Sequence, residues 1–345
     1  MAPLSIEPSA EINVIYGENA QGKTNLLESV WMCSGMKSFR GAKDTELKSF
    51  DRESAKVRAG YSDSKRENTI EIRIAERRTA YLNGIALPSA AGLIGKFRAV
   101  VFSPAFLSIV QSGPAERRRF IDAAICQLKP AYAQKLADYS RLLKQRNSLL
   151  KDLQMETALL DMLDVIDLQM SALAADITTQ RFDYLSMLTP HAAEIYNGLS
   201  GGRETLRFRY VQKCGEPGGD YEDIFKANRK TDAMLKTTTA GPHRDDIEIC
   251  VNDRSARLYG SQGQQRSCAL TMKLAESSVI KAQTGEEPVT LLDDVMSELD
   301  AGRQDYILNH IKNRQVFITC CDPNAVLRLT EGKRFFIQNG QVECT

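Results

Sequence analysis

Two kinds of hydrophobic pattern divide this chain. Apolar and polar residues alternate over residues 55–61 (AKVRAGY) and 69–74 (TIEIRI), and residues 81–85 (YLNGI) carry an Asn-Gly turn signal. Period-two alternation with a two-residue Asn-Gly turn predicts an antiparallel β meander with one polar face. Short, almost wholly apolar runs at 11–16 (EINVIY), 97–102 (FRAVVF), 288–292 and 315–319 read as buried strands. Leu4 to Glu7 reads as a strand end and 8–10 as a turn into the first buried strand. From about Gly113 to Pro190 the period changes to that of helices. Pro114 stands at one helix start, followed by 115–128, and Pro130 opens a second, to about Leu153, with apolar Leu136, Tyr139, Leu143 and Leu150. A third runs from about Glu156 to Leu188 with Leu159, Leu163, Ile166, Met170, Leu173, Ile177 and Leu185. Long amphipathic helices back to back predict a helical hairpin or small bundle, too short in repeats for a long coiled coil. After Pro190 the pattern predicts one more helix, a turn at Gly201-Gly202, a strand over 205–212, a Gly/Pro loop over 214–220 and a helix over 221–236. A rigid polar turn at 241–246 (GPHRDD) then leads into a strand over 247–251.

The first buried strand ends at Gly17-Glu18-Asn19-Ala20-Gln21-Gly22-Lys23-Thr24, which matches G-x-x-x-x-G-K-[ST], the phosphate loop. Asn25 to Met32 follows as a helix. A helix opening from a glycine-rich turn offers free N–H groups and the positive end of its dipole to an anion. Residues Gly17 to Asn25 are therefore the candidate nucleotide contacts. Lys23 is placed to reach the β- and γ-phosphates, and the Thr24 hydroxyl to ligate Mg²⁺. The apolar strand at 288–292 ends in Asp293-Asp294. Paired carboxylates at the end of a buried strand raise each other's cost, and a bound Mg²⁺ relieves it. Asp293 is the candidate metal ligand, and Asp294 the candidate group that orients or deprotonates an attacking water. Residues 259–267 (YGSQGQQRS) precede a helix predicted over 268–281. Ser261, Gln262, Gly263 and Gln264 there form a second candidate anion-binding terminus, one suited to a γ-phosphate held by another subunit. Lys23 and Asp293 are 270 positions apart, so both ends of the chain must fold into one domain around an insertion. That gives a domain of 1–104 plus 236–345 and an inserted helical arm of 105–235. Lys37 and Arg40 are read as phosphate or DNA contacts or as solvated charges. Arg117-Arg118-Arg119 is read as a phosphate-facing patch or a solvated helix face.

Composition changes this picture little. A chain of 345 residues with 43% hydrophobic and 26% charged content is an ordinary globular composition, long enough for two domains. The net charge of +1 provides no global field toward nucleic acid, so such binding needs a local patch. The eight cysteines form no C-x-x-C pair and fit reduced cytosol. Cys320 and Cys321 lie in an apolar run and are expected as buried thiols rather than metal ligands. No apolar run reaches transmembrane length, and the N-terminus has no charged-then-apolar signal.

The segments GENAQGKTNLLE, GPHRDD, YGSQGQQRS and LLDDVMSELD, in that order, resemble the RecF family of bacterial DNA replication and repair proteins, ABC-type ATPases related to chromosome-structuring and break-repair proteins. The resemblance covers nearly the whole chain. It implies an α/β fold: a P-loop ABC-type ATPase head with a β meander and an inserted helical lobe. It implies that residues 261–265 correspond to the ABC signature that contacts ATP across a dimer, that 297–300 line the same interface, and that Thr319 stands where related ATPases place a switch residue. The implied activity is weak ATP hydrolysis, with ATP and Mg²⁺ as cofactors. ATP-dependent homodimers would clamp double-stranded and gapped DNA and work with RecO/RecR-type mediators to load RecA, in recombinational repair, replication restart and the SOS response. The implied location is cytoplasmic, with no membrane partner. Only sixteen residues precede Gly17, where the family usually has an extra strand, so adenine contacts stay unassigned. Two other classes remain open, a transporter-type ABC subunit and a nucleotide-binding protein without turnover.

Overall fold

Residues 4–49, 52–152, 159–213, 220–323 and 332–344 are described by the computed structural model. They divide into two compact units: 1–107 with 198–202 and 269–345, and 108–197 with 203–268.

The first unit is built on a six-stranded sheet in the order Gln341–Cys344, Lys333–Gln338, Ile12–Tyr16, Val316–Cys320, Val289–Asp293 and Ala99–Phe102. All neighbours are parallel except the C-terminal hairpin. The central strands are apolar because both faces are covered. Ile15, Leu27, Trp31, Val101, Leu291, Phe317 and Ile337 pack in one buried cluster, which includes the inner face of helix Lys23–Met32. The register sets Ile15 beside Thr319 and Asp293 beside Thr319, so three chain segments meet at the C-terminal strand ends, where parallel α/β sheets hold ligands. Residues 4–7 form no strand. The Asn13 side chain bonds to the backbone of Ser9 through both its amide nitrogen and its oxygen, and Leu4 and Ile6 pack on the core cluster as irregular chain. The meander is as expected: Ala55–Ser62, Glu67–Ile74, Arg78–Leu82 and Ile85–Ala86 form an antiparallel sheet. Asn83 and Gly84 turn between its last strands with φ of 53° and 79°.

The second unit holds the helices Pro114–Leu128, Pro130–Asp152, most of Leu159–Ser200, and Tyr221–Leu235, with the small sheet Leu206–Val211, Asp246–Val251 and Arg254–Ser255. The sequence boundaries put 236–268 in the head domain. Contacts keep those residues with the helices, because Leu206–Val211 pairs along its length with Asp246–Val251. Pro190 does not end a helix: Leu159–Ser200 runs through it. Buried Leu185, Leu188, Ala192 and Ile195 lie on both sides of Pro190, and that packing outweighs the one backbone bond a proline forfeits. The start of this helix near 156 and the loop at 214–219 lie outside the described residues.

The motif at 241–246 is the polar centre of this unit. Gly241 has φ of 122°, and a Cβ there would stand 2.6 Å from the Tyr139 hydroxyl. The Pro242 carbonyl accepts from Arg181 at 2.6 Å, and the Asp245 carboxylate accepts from Tyr210 at 2.7 Å. Asp246 accepts both Nε and Nη2 of Arg117, at 2.7 and 3.0 Å. The arginine run therefore splits, and only Arg119 stands on the solvated helix face that the sequence offered as one reading. Arg117 is buried against Asp246, Arg118 donates to the Asp245 carbonyl, and Arg119 pairs with Glu116 of its own helix.

His243 bonds with the Tyr139 hydroxyl at 2.8 Å and the Thr238 carbonyl at 3.1 Å, and burial lowers its pKa to about 4. A histidine with a depressed folded pKa takes up its proton preferentially when unfolded. Its neutral form therefore supports the fold fully above about pH 6.5, and that support is lost as pH falls toward 4. Wild type should lose on the order of 2 kcal/mol more than His243→Gln between pH 7.5 and 4.5 in urea unfolding. Parallel pH profiles for the two proteins would remove His243 as the cause.

Candidate functional site

The loop from Gly17 to Gly22 joins strand Ile12–Tyr16 to helix Lys23–Met32. Gly17 has φ of 150°, and a Cβ would lie 2.3 Å from the Ile337 carbonyl oxygen of the neighbouring strand. Ala20 is left-handed at φ 64°, and Gly22 caps the helix at φ 102° with no side-chain cap. The helix opens without a side chain on its first N–H groups, which is the arrangement that suits a phosphate. Lys23 is buried, with Nζ donating to the carbonyls of Gly17 at 2.8 Å and Glu18 at 2.9 Å. Its ammonium is thus held inside the turn of the loop. Gln21 accepts from the Asn339 N–H at 2.7 Å, which ties the loop to the C-terminal hairpin. Asn19 accepts from the Cys321 thiol at 3.0 Å. Asn25 accepts from Arg40 at 2.8 Å, and Arg40 also pairs with Glu28, whose carboxylate takes the Ser38 hydroxyl as well. Hydrogen bonding to Glu28 is the main influence that raises the Arg40 pKa. Arg40 is thereby fixed on the first helix, while Glu18 and Ala20 are exposed.

The two candidate metal ligands meet. Thr24 Oγ1 donates to Asp293 Oδ1 at 2.9 Å, and Thr319 Oγ1 donates to the same oxygen at 3.0 Å. Asp293 is buried, and that burial is the largest influence on its carboxyl, raising the pKa against the two hydroxyl bonds. A hydroxyl and a carboxylate are hard oxygen donors, and Mg²⁺ characteristically takes one or two from protein and the rest from phosphate and water. The pair fits that ion. Among the described residues no group of three or more His, Cys, Asp or Glu is placed to hold a metal. Asp294 has φ of 53°, its N–H donates to Thr319 Oγ1 at 2.9 Å, and its carbonyl accepts from Ser297 Oγ at 2.8 Å. A non-glycine residue held in this region by two bonds is typical of a functional turn.

The candidate signature residues lie in the second unit. Their helix starts at Gln262, not at 268, so Gly263 and Gln264 lie in its first turn. Ser261 Oγ accepts from the Gln264 N–H at 3.2 Å, and Gln264 Oε1 accepts from the Ser261 N–H at 2.8 Å. That reciprocal pair is a capping box, written S-x-x-Q in the sequence. Ser261 and Gln262 are exposed. The two cysteines at 320–321 differ: Cys320 is buried with its thiol pKa pushed up to about 12 by burial, whereas Cys321 is exposed beside the loop. The sequence reading missed the roles of Cys321, Asn339 and Thr319 as a bridge between the two aspartates. Only the spacing of adjacent buried strands could have indicated the last.

A phosphate loop opening a helix, with paired acids on a nearby parallel strand and a helical insertion, defines a P-loop ATPase head of the ABC type. The family model for the RecF/RecN/SMC N terminal domain matches residues 2–343, and the chain belongs to that family. It is similar to the DNA replication and repair protein RecF of Acetivibrio thermocellus, 40% identical over 97% of this chain and 93% of that protein. The RecF of Agathobacter rectalis is 40% identical over 99% of this chain and 94% of its own length. A solved structure of the recombination mediator protein RecF-ATP in the RecFOR pathway superposes with a TM-score of 0.90 at 35% identity, covering 99% of this chain and 93% of that one. The Smc head domain from Pyrococcus furiosus shares the fold, at 15% identity and a TM-score of 0.53.

Proposed function

We propose that this protein is an ATP-dependent DNA-binding clamp of recombinational repair and replication restart, with weak ATPase activity coupled to dimerisation. The observation that carries the reading is the meeting of Thr24, Asp293 and Thr319 beside the loop that encloses Lys23. The amides at the start of helix Lys23–Met32 and the Lys23 ammonium bind the phosphates of ATP. Thr24 and Asp293 hold Mg²⁺, which when bound neutralises phosphate charge. Asp294 orients a water and accepts its proton, steadied through Thr319. Ser261 to Gln264 complete the site from a second copy of the chain. The names of these relatives, a DNA replication and repair protein and a recombination mediator of the RecFOR pathway, support work on DNA with RecO/RecR-type mediators; we extend this to double-stranded and gapped DNA and to RecA loading. Among the described residues no helix is long and apolar enough to cross a membrane.

The test is sedimentation with ATP, with ADP, and with ATP plus duplex DNA. A dimer should form with ATP alone and retain the duplex. Ser261→Arg places a long cation at the exposed helix terminus. It should leave nucleotide binding by the monomer unchanged and abolish the ATP-dependent dimer; dimers persisting in this variant would refute the composite site.

A further inference from the structure

The chain is nearly neutral overall, yet its charge is unevenly placed. Residues 37–98 contain fourteen Lys and Arg against eight Asp and Glu, a net +6, so the remainder carries −5. The centre of this segment is the antiparallel sheet. Its inner face is apolar, with Ile70, Ile72, Ile74 and Ala80 in a buried cluster with Met32 and Leu93. Its outer face follows from the alternation. Lys56 stands directly opposite Arg73, Arg58 opposite Glu71, and Gly60 opposite Thr69. Arg73 in turn faces Thr79, and Glu71 faces Tyr81.

Two features of this face do not serve stability. Like charges directly across a ladder repel, and the sheet keeps Lys56 and Arg73 in such a pair. Two cations also share one carboxylate, and a third, Arg58, stands directly across the ladder from it. Glu71 accepts from Lys56 at 2.9 Å and from Arg73 at 2.6 Å, and Arg73 rests on the Tyr81 ring with its guanidinium carbon 4.7 Å from the centroid. Arg58 is exposed, and no ion pair holds it among the described residues. Lys56 and Arg73 keep more than half of their side-chain surface in solvent even while paired. Glu71 therefore orients two cations without covering them. Beside them the face is low, with Gly60, Ser62, Thr69 and Thr79.

We infer that this outer face, with Lys56, Arg58 and Arg73 at its centre, is a docking surface for the phosphate backbone of double-stranded DNA. Lys56 and Arg58 are two residues apart on one strand, about 6.7 Å, close to two nucleotide rises of about 3.4 Å on a duplex strand. Cations preset by a carboxylate and an aromatic ring lose little freedom on meeting phosphate. Contacts of this kind read no bases, so the surface recognises backbone rather than sequence. The inference rests on the DNA-clamp reading and assigns it a surface.

The experiment measures affinity for a blunt DNA duplex in the presence of ATP over a series of salt concentrations. Each phosphate contact contributes about 0.9 to the slope of log K against log salt. Lys56→Gln/Arg58→Gln/Arg73→Gln should lose two to three units of slope and at least tenfold in affinity at moderate salt, with ATP affinity unchanged. Arg58→Gln alone, which breaks no contact, should lose about one unit, so the result does not depend on the triple variant folding. Lys129→Gln/Lys144→Gln/Lys151→Gln makes the same change in net charge on exposed positions of the helical unit and should keep the wild-type slope. An unaltered slope in both sheet variants, or an equal loss in the helical control, overturns the assigned surface while the clamp reading stands. Failure of the wild type to hold duplex at all overturns the clamp reading and this inference with it.

Discussion

Lys23→Ala should abolish ATP binding at concentrations where the wild type is saturated. In this protein the Lys23 ammonium is buried and enclosed by the Gly17 and Glu18 carbonyls. It is the cation of the loop itself, and its bonds to two phosphates would be charge-assisted on both sides. Losing them should cost about 3 to 5 kcal/mol, a loss of more than 100-fold in affinity. The variant also leaves two loop carbonyls without their donor, so its melting temperature without nucleotide should fall slightly. Titration calorimetry with ATP checks the first effect and a thermal melt the second. Lys23→Arg should not rescue binding, because a planar fork cannot replace a compact ammonium inside this turn. Wild-type affinity in Lys23→Ala would end the phosphate-loop assignment.

Asp294→Asn should cut the rate of ATP hydrolysis by about 10² to 10⁴-fold, the usual contribution of a positioned proton acceptor. ATP affinity should remain within a few-fold of wild type. The reason lies in the different surroundings of the two acids. One oxygen of Asp293 already accepts from Thr24 and Thr319, and the residue is buried. Asp294 is partly exposed, and its backbone, not its carboxylate, is what Thr319 and Ser297 hold. Asparagine tolerates a left-handed backbone about as well as aspartate, so the turn at φ 53° should survive the change. Single-turnover hydrolysis measures the rate, and sedimentation should show the ATP-dependent dimer accumulating. A variant that turns over at the wild-type rate would leave Asp294 without a role in proton transfer.

Elements whose signals are local were legible before any coordinates. Pro114 and Pro130 open their helices at the first position, Asn83-Gly84 makes its hairpin, and Gly17 to Thr24 joins a strand to a helix. One local signal was misread. Ser261 to Gln265 looks like a polar loop by composition, yet Ser261 and Gln264 cap each other and start the helix there. Signals that depend on distant partners were not legible. The three arginines at 117–119 look alike in sequence, and only Asp246, 129 positions away, singles out Arg117 as a buried ion pair. Pro190 carries a strong breaker signal that loses to packing on either side.

The sequence by itself determined the candidates for the proposed chemistry: which residues are offered to phosphate, which to Mg²⁺, and which acid to a proton. Those properties belong to side-chain types at short spacings, and short-range sterics and hydrogen bonding express them wherever the chain goes. Tertiary structure alone decided the pairings. Parallel strands with no local connection bring Thr319 between Asp293 and Asp294 and set the Ile337 carbonyl against Gly17. It also decided that one face of the meander collects Lys56, Arg58 and Arg73. Strand register is a property of two segments together, so neither segment contains it alone.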